Sequence, residues 1–496
     1  MLDRCVCCAL AVFLLTTGLA GTAVADVRFA VLADPHYYDS DLGTTGEAFE
    51  AYLQQDRKLI RESEALMKAA VEAIITEHAA QPLDFVMIPG DLTKDGELTS
   101  HQEMAGYLGQ LEGQNIPVYV VPGNHDINNP QAYSYNGAAV TPVANVSPSD
   151  FKDIYSAYGY GQAVQQDPNS LSYTAEPVPG VVLLGLDSCK YDNNDAQAHA
   201  ETGGSLPLDT RSWAVDRITE AEANGKQVIA FLHHGLLEHY SGQKQVFPEY
   251  VIDDEESVSL ELAKAGLRMA FTGHYHANDV TRQKWGASGN MVYDVETGSL
   301  VTFPCPWRVV TLKDDRTVDI ETRYITEIDY DTGGLPLSIY ASTYLYEGLY
   351  GIAMYTLMQP VESGGYGLDQ ETAQEFAPHF AEAFMAHYAG DESPTPETLG
   401  MLSGYISDPN PVVSQLGMWL YALWTDLEPA DGDLSFKFDA LSGDMNGDCC
   451  GNMADYQLFR DNYGQVGPND ADLDVDGAVN MIDYQLFRIH YGAVCP

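Results

Sequence analysis

The sequence predicts an α/β protein followed by a helical region and a small repeat module. Three observations carry this. Short apolar runs alternate with longer amphipathic stretches from residue 26 to about 325, strand signals thin out between 331 and 440, and a ten-residue segment near the end occurs twice.

The runs 27–33, 83–88, 118–121, 181–186, 227–232, 267–271 and 291–295 are rich in Val, Ile, Leu and Phe and have the length of buried strands. Between the first two, 46–81 contains good helix formers throughout and predicts one long helix. Strand, helix and strand in succession make an α/β domain. Beyond it, 335–357, 369–388 and 412–427 have helical spacing and many aromatics, which read as core. Finally, Asp455-Tyr-Gln-Leu-Phe-Arg-Asp-Asn-Tyr-Gly464 recurs as Asp483-Tyr-Gln-Leu-Phe-Arg-Ile-His-Tyr-Gly492, a repeat that marks a separate unit.

The 496 residues agree with about three domains at roughly 150 residues each. The expected divisions are 1–25, 26–330, 331–440 and 441–496. The first is read as a signal peptide. Met1-Leu2-Asp3-Arg4 precedes an apolar run to Ala20, and Ala23-Val24-Ala25 is an A-x-A cleavage signal. The expected location is therefore extracellular or periplasmic, where disulfides are permitted. Five cysteines follow the leader: Cys189, Cys305, Cys449, Cys450 and Cys495. The sequence does not choose between Cys449 and Cys450 as a partner for Cys495. No later stretch is long and apolar enough to span a bilayer, so no integral membrane segment is expected after cleavage.

With 72 acidic against 24 basic side chains, the net charge is −48. That excludes a nucleic-acid-coating surface, which needs clustered Lys and Arg. An anionic substrate would need a locally positive site, and metal ions are the natural source.

The apolar runs end in chemistry. Asp34-Pro35-His36 follows the first, Gly90-Asp91 the second and Gly123-Asn124-His125-Asp126 the third; later runs end in His233-His234 and Gly273-His274-Tyr275-His276. Ligands bind beyond the carboxyl ends of strands in α/β sheets, so these side chains can converge. Carboxylate, imidazole and an Asn amide suit two divalent transition metals, Mn, Fe or Zn. Within Asp34-x-His36 and His274-x-His276, strand alternation would aim both side chains the same way.

Taken together, these motifs resemble the calcineurin-like metallophosphoesterases over roughly 26–325. The resemblance implies a two-sheet β-sandwich flanked by helices. It implies one ion on Asp34, His36, Asp91 and His276, and the other on Asp91, Asn124, His233 and His274, with His233 preferred to His234. It further implies His125 as general acid, oriented by Asp126, and a metal pair that clamps phosphoryl oxygens and activates water. Lys94 stands where purple acid phosphatases have a tyrosine ligand. The stretches Gly90–Glu97, Phe231–Gly235 and Thr297–Pro304 look most like the bacterial cyclic-nucleotide phosphodiesterase branch. The expected substrate is a small phosphoester, with phosphodiesters and 3′,5′-cyclic nucleotides foremost. The alternatives are a broad phosphomonoesterase and a catalytically silent recognition protein; against the latter, no ligand position is missing.

In the repeat, Asp444, Asn446, Asp448, Asn452 and Asp455 occupy positions 1, 3, 5, 9 and 12 of a calcium loop; Asp472, Asp474, Asp476, Asn480 and Asp483 repeat them. The pair resembles a type I dockerin, an EF-hand-like domain, which implies bound Ca²⁺ and a cohesin-type scaffold partner. Position 6, usually Gly, is Cys449 in the first loop and Gly477 in the second.

Overall fold

The computed structural model describes residues 26–496 apart from 197, 286–289, 314–315, 391, 426, 428, 438–444, 446–450, 468, 470, 474–477 and 493–496. The leader, Asp444, Asn446, Asp448, Asp474, Asp476, Cys449, Cys450 and Cys495 thus lie outside the described residues. Cys189 and Cys305 are free thiols.

The strands, in chain order, are β1 (Val27–Val31), β2 (Phe85–Pro89), β3 (Val118–Val121), β4 (Tyr133–Asn136), β5 (Ala139–Pro142), β6 (Gln165–Gln166), β7 (Tyr173–Val178), β8 (Val181–Gly185), β9 (Gln227–Phe231), β10 (Met269–Thr272), β11 (Val280–Trp285), β12 (Asn290–Glu296), β13 (Pro306–Leu312), β14 (Thr317–Tyr324) and β15 (Leu434–Lys437). One sheet has the order β15-β14-β13-β1-β2-β3 and the other β11-β12-β10-β9-β8-β7-β6; β4 and β5 form a hairpin. Strands β1 to β3 run parallel, as do β8, β9 and β10. Their carboxyl ends supply the motif loops.

The sheets face each other. Phe29 meets Phe271 edge-on with ring centres 5.5 Å apart, and Tyr173 donates its hydroxyl to the Val120 carbonyl at 3.0 Å. Helices cover the outer faces. Leu66 and Met67 of helix Ser63–Ala80 and Met104 and Leu108 of helix Leu98–Glu112 pack on one sheet. Ile218 and Leu262, from helices Leu208–Ala223 and Glu255–Ala265, pack on the other.

The predicted helix 46–81 is broken. Glu47–Leu53 and Ser63–Ala80 are helical, and the segment between them is not. Tertiary contacts override propensity here: the Leu59 amide donates to the Val301 carbonyl, Asp56 Oδ1 accepts from the Lys58 amide, and Leu59 and Ile60 drop into the core. The break turns Arg57 and Lys58 toward the motif loops.

Helices Leu337–Met358, Gln370–Ala389, Pro396–Ile406 and Pro411–Leu423 form a second core around Leu345, Phe376, Leu402 and Leu420. It extends onto Tyr240 and Tyr275. Asp369, Thr395 and Asn410 cap three of these helices with their side chains, and Pro occupies the first turn of the last two. Beyond them, β15 returns to the edge of the first sheet. A separate small core joins Phe459 of helix Met453–Asn462 to Phe487 of helix Met481–His490. No helix among the described residues is long and apolar enough to cross a membrane.

Candidate metal centre

Five loops from both sheets bring the motif side chains together. The donors of Asp34, His36 and His276 lie within 4.8 Å of one another, and so do those of Asp91, His233 and His274. Asp91 joins the two groups: its Oδ2 is 3.3 Å from His233 Nε2 and 3.5 Å from His36 Nε2. Asn124 Oδ1 lies 3.0 Å from His233 Nε2, on the second side. On the first side His36 Nε2 and His276 Nε2 approach to 3.1 Å, and His276 Nε2 is 3.7 Å from Asp34 Oδ1.

The backbone, not strand alternation, aims these groups. Asp34, His36, Asp91, His274 and His276 all have positive φ, between 39° and 75°. Left-handed non-glycine residues are strained and cluster at functional sites. This corrects the expectation for His274-x-His276, whose rings part to opposite groups; Asp34 and His36 reach the same group, but from a kinked backbone and not from strand alternation.

Outer contacts fix which nitrogen faces inward. His233 Nδ1 is 3.0 Å from the Pro89 carbonyl and His274 Nε2 is 3.2 Å from the Glu249 carbonyl, so each ring donates outward and turns its other nitrogen to the cluster. His234 is placed differently; it spends Nδ1 on Ser188 Oγ and Nε2 on the Thr202 carbonyl.

The donor set fits metal ions. His36 Nδ1 is buried without a partner. Burial, foremost, holds His36, His274 and His276 well below the usual imidazole range, so they stand neutral as ligands must. Asp91 is held well below the usual carboxylate range: burial pushes it up, but His233, His125 and His36 outweigh that. Burial raises Asp34 to about 8. Divalent charge is what such a buried set needs.

His125 adjoins the first group: its ring nitrogen lies within 4.8 Å of the His36 and Asp91 donors. Its side chain is 27% exposed, the most open of the set, and its amide donates to Asp91 Oδ1 at 2.9 Å. Nδ1 lies 2.6 Å from the Lys94 carbonyl and 2.9 Å from Asp95 Oδ1, leaving Nε2 outside both contacts. Burial and Lys58 press its pKa down, but Asp91 and the Asp95 hydrogen bond carry it above the usual value.

Asp95, then, orients His125, and this corrects the role expected of Asp126. Asp126 is fully buried and its oxygens accept from the amides of Leu92, Thr93 and Gly123, so it builds the turn beneath the site. Asp95 is itself anchored by Lys94, which sits among the rings of Tyr38, Tyr52 and Tyr135. Reading the motifs overlooked Asp95; its signal was an acidic residue four positions after Asp91 in a turn-rich loop. Lys58 was also overlooked. It is 8% exposed, and its charge acts on Asp34, His36, His125 and His276.

Other polar side chains of this part of the chain make structural contacts. His101 hydrogen-bonds Tyr155, Arg308 is buried against Thr322 and the carbonyls of Asp431 and Glu296, and His199 contacts the Ala200 carbonyl. In the repeat, Asp455 accepts from the Met445 and Asn452 amides and Asp483 from those of Leu473 and Asn480, the same arrangement twice.

Residues 27–278 match the family model described as calcineurin-like phosphoesterase. A curated relative from Fibrobacter succinogenes, named a probable cyclic nucleotide phosphodiesterase, is 23% identical over 233 residues, which are 47% of this chain and 72% of that protein. Among solved structures, a dimetal phosphatase from Danio rerio aligns with a TM-score of 0.43 at 16% identity, over 61% of this chain and 97% of that one. A NAD nucleotidase from Haemophilus influenzae aligns at 0.30 and 12% identity, over 61% and 49%.

Proposed function

The chain belongs to the calcineurin-like phosphoesterase family, and from that premise we propose that it is a dinuclear metal-dependent phosphodiesterase. Asp34, His36, Asp91 and His276 would hold one ion; Asp91, Asn124, His233 and His274 would hold the other. The observation that carries this is the single Asp91 oxygen placed between a histidine of each group. Bound divalent ions of this kind neutralise phosphoryl oxygens and activate water at neutral pH. His125, its ring fixed by Asp95 and the Lys94 carbonyl, gives a proton from Nε2 to the departing oxygen. Lys58 adds positive charge on the Asp34 side, where an anionic substrate must approach a chain of net charge −48.

The substrate class we favour is the phosphodiester, 3′,5′-cyclic nucleotides included, in keeping with the printed name of the Fibrobacter relative. The test is a panel on the Mn²⁺-loaded full chain: 3′,5′-cyclic nucleotides, bis-p-nitrophenyl phosphate, nucleotides and p-nitrophenyl phosphate. Diesters are expected to turn over fastest. Fast monoester turnover with inert diesters would replace this reading with a broad phosphomonoesterase. Inertness toward every ester, with both ions bound, would leave a recognition protein.

Asp95→Asn is expected to move the alkaline limb of the pH–rate profile to lower pH by about one unit or more. The sign follows from the role. The imidazolium is the donor, so rate is full below the His125 pKa and falls as pH rises through it. Removing the carboxylate that raises that pKa brings the fall earlier. An unmoved limb would deny His125 the proton-donor role.

We also infer export, and a calcium-dependent dockerin-type module at 441–496 that docks on a cohesin-type scaffold. Support comes from the loop spacing and from the matched capping boxes, Asn452 with Asp455 and Asn480 with Asp483. Calcium is expected to raise the melting temperature of this module and protect it from protease within the full chain. Identical behaviour in calcium and in EDTA would remove the calcium role.

A further inference from the structure

A second cluster of histidine and carboxylate side chains lies away from the dinuclear centre. The donors of Asp279, His387 and Glu392 all fall within 4.8 Å of one another. Asp279 sits just before β11. His387 comes from the last turn of helix Gln370–Ala389, and Glu392 from the loop beyond it. The cluster therefore spans the seam between the phosphoesterase domain and the helical region.

The surroundings are rich in buried charge. Asp279 Oδ1 is 2.6 Å from His239 Nδ1, and His239 Nε2 is 3.4 Å from Asp294 and 3.7 Å from Glu296. Asp294 is satisfied by the Leu236 and Leu237 amides and the Thr272 hydroxyl. Glu296 accepts from the Ala277 amide, and burial, foremost, pushes its carboxyl well above the usual range. Arg308 donates to neutral oxygens, those of Thr322, Asp431 and Glu296. His239 thus serves Asp279 Oδ1 through Nδ1, while its buried Nε2 faces the carboxylates behind it without a hydrogen bond.

Nothing comparable serves the other side of Asp279. His387 Nδ1 is 2.5 Å from Glu392 Oε1 and 3.5 Å from Asp279 Oδ2. One ring proton satisfies one acceptor, and the short contact takes it. Asp279 Oδ2 and Glu392 Oε2 remain without a hydrogen-bond partner, although these side chains are only 1% and 2% exposed. Unpaired buried carboxylate oxygens beside an imidazole are expensive unless a cation neutralises them.

We propose that Asp279, His387 and Glu392 bind a further divalent transition metal ion, which fastens the helical region to the phosphoesterase domain. Two carboxylates and one imidazole suit Zn²⁺, Mn²⁺ or Fe²⁺ better than Ca²⁺ or Mg²⁺, whose ligands are oxygens. With the ion on Nδ1, the ring needs no proton there, and both carboxylates gain a partner. The site is structural: the His387 ring packs against Tyr275 with ring centres 5.6 Å apart, and the same seam carries the Asn278 amide to the Tyr388 carbonyl and the Val280 amide to Asp431.

The test separates this ion from the catalytic pair. In full-length Asp91→Ala protein loaded with Zn²⁺ and dialysed, elemental analysis is expected to find about one equivalent retained. Adding Glu392→Gln is expected to remove it. Glu392→Gln keeps the side chain's shape and a hydrogen bond to His387, so it removes the charge without opening the packing. With Co²⁺ in place of Zn²⁺, the Asp91→Ala protein should show ligand-field absorption that Glu392→Gln abolishes. In the otherwise unaltered chain, Glu392→Gln should leave phosphodiester hydrolysis intact and make the helical region more sensitive to protease. Equal metal content with and without Glu392→Gln, or no ion retained in Asp91→Ala protein, would overturn the proposal, whatever the fate of the phosphodiesterase reading.

Discussion

Asp91→Ala is expected to lower kcat/KM for a phosphodiester by about 1,000-fold or more and to strip the dinuclear centre. The size follows from what one side chain does. Its Oδ2 stands between His233 Nε2 and His36 Nε2, so a single truncation would take a donor from both proposed ions. Its Oδ1 accepts the His125 amide at 2.9 Å, so the same change releases the backbone that presents the proton donor. The carboxylate also supplies negative charge to a pocket where His233 is raised to about 9; burial alone would drive that ring down, and Asp91 leads the opposition to it. Without Asp91, the remaining imidazoles face one another with little to balance two divalent ions. The measurements are elemental analysis and bis-p-nitrophenyl phosphate hydrolysis, with circular dichroism to show that the fold survives. Turnover close to that of the unaltered chain would place the chemistry elsewhere.

How much of this was legible in the sequence depended on the kind of signal. The loops that converge were readable because each motif follows an apolar run, and β1, β2, β3, β9 and β10 lie close to the runs that predicted them. The strands β13 and β14 do not stand among those continuous apolar runs, although a strand start is legible at Arg308. Arg308 interrupts the first with a buried charge, and the second alternates buried and half-buried residues, a one-sided pattern that a search for continuous apolar stretches passes over. The orienting partner of His125 was misjudged for a similar reason. Sequence neighbours look like spatial partners, but the turn after Gly123 folds Asp126 under the loop, and Asp95 reaches the ring from the loop that follows β2. Lys58 was hidden by its setting: in an unbroken helix it would have read as an ordinary solvated lysine. Only the core's claim on Leu59 and Ile60 turns that segment inward.

Gly123→Ala is expected to cost on the order of 100-fold in kcat/KM, although a single methyl is added and no ligand residue is replaced. A Cβ at this position would fall well under 3.0 Å from the Asp91 amide nitrogen and Oδ1. The first of these is backbone and cannot swing aside, and the second is the oxygen that receives the His125 amide. Relief therefore requires the β2 and β3 loops to separate, which moves the shared carboxylate off the point where both histidines reach it. Small-to-large changes in packed sites commonly cost 1–3 kcal/mol, roughly, so reduced stability should accompany the lost activity. The same substitution at Gly106 is the control. It lies in helix Leu98–Glu112 with open space around the added carbon, and there alanine should be neutral or stabilising by about 0.5–1 kcal/mol. If Gly123→Ala retains full metal content and full turnover, the loops are not held at the separation the structure gives them. If both substitutions impair hydrolysis alike, the effect is one of general stability and not of the approach between Gly123 and Asp91.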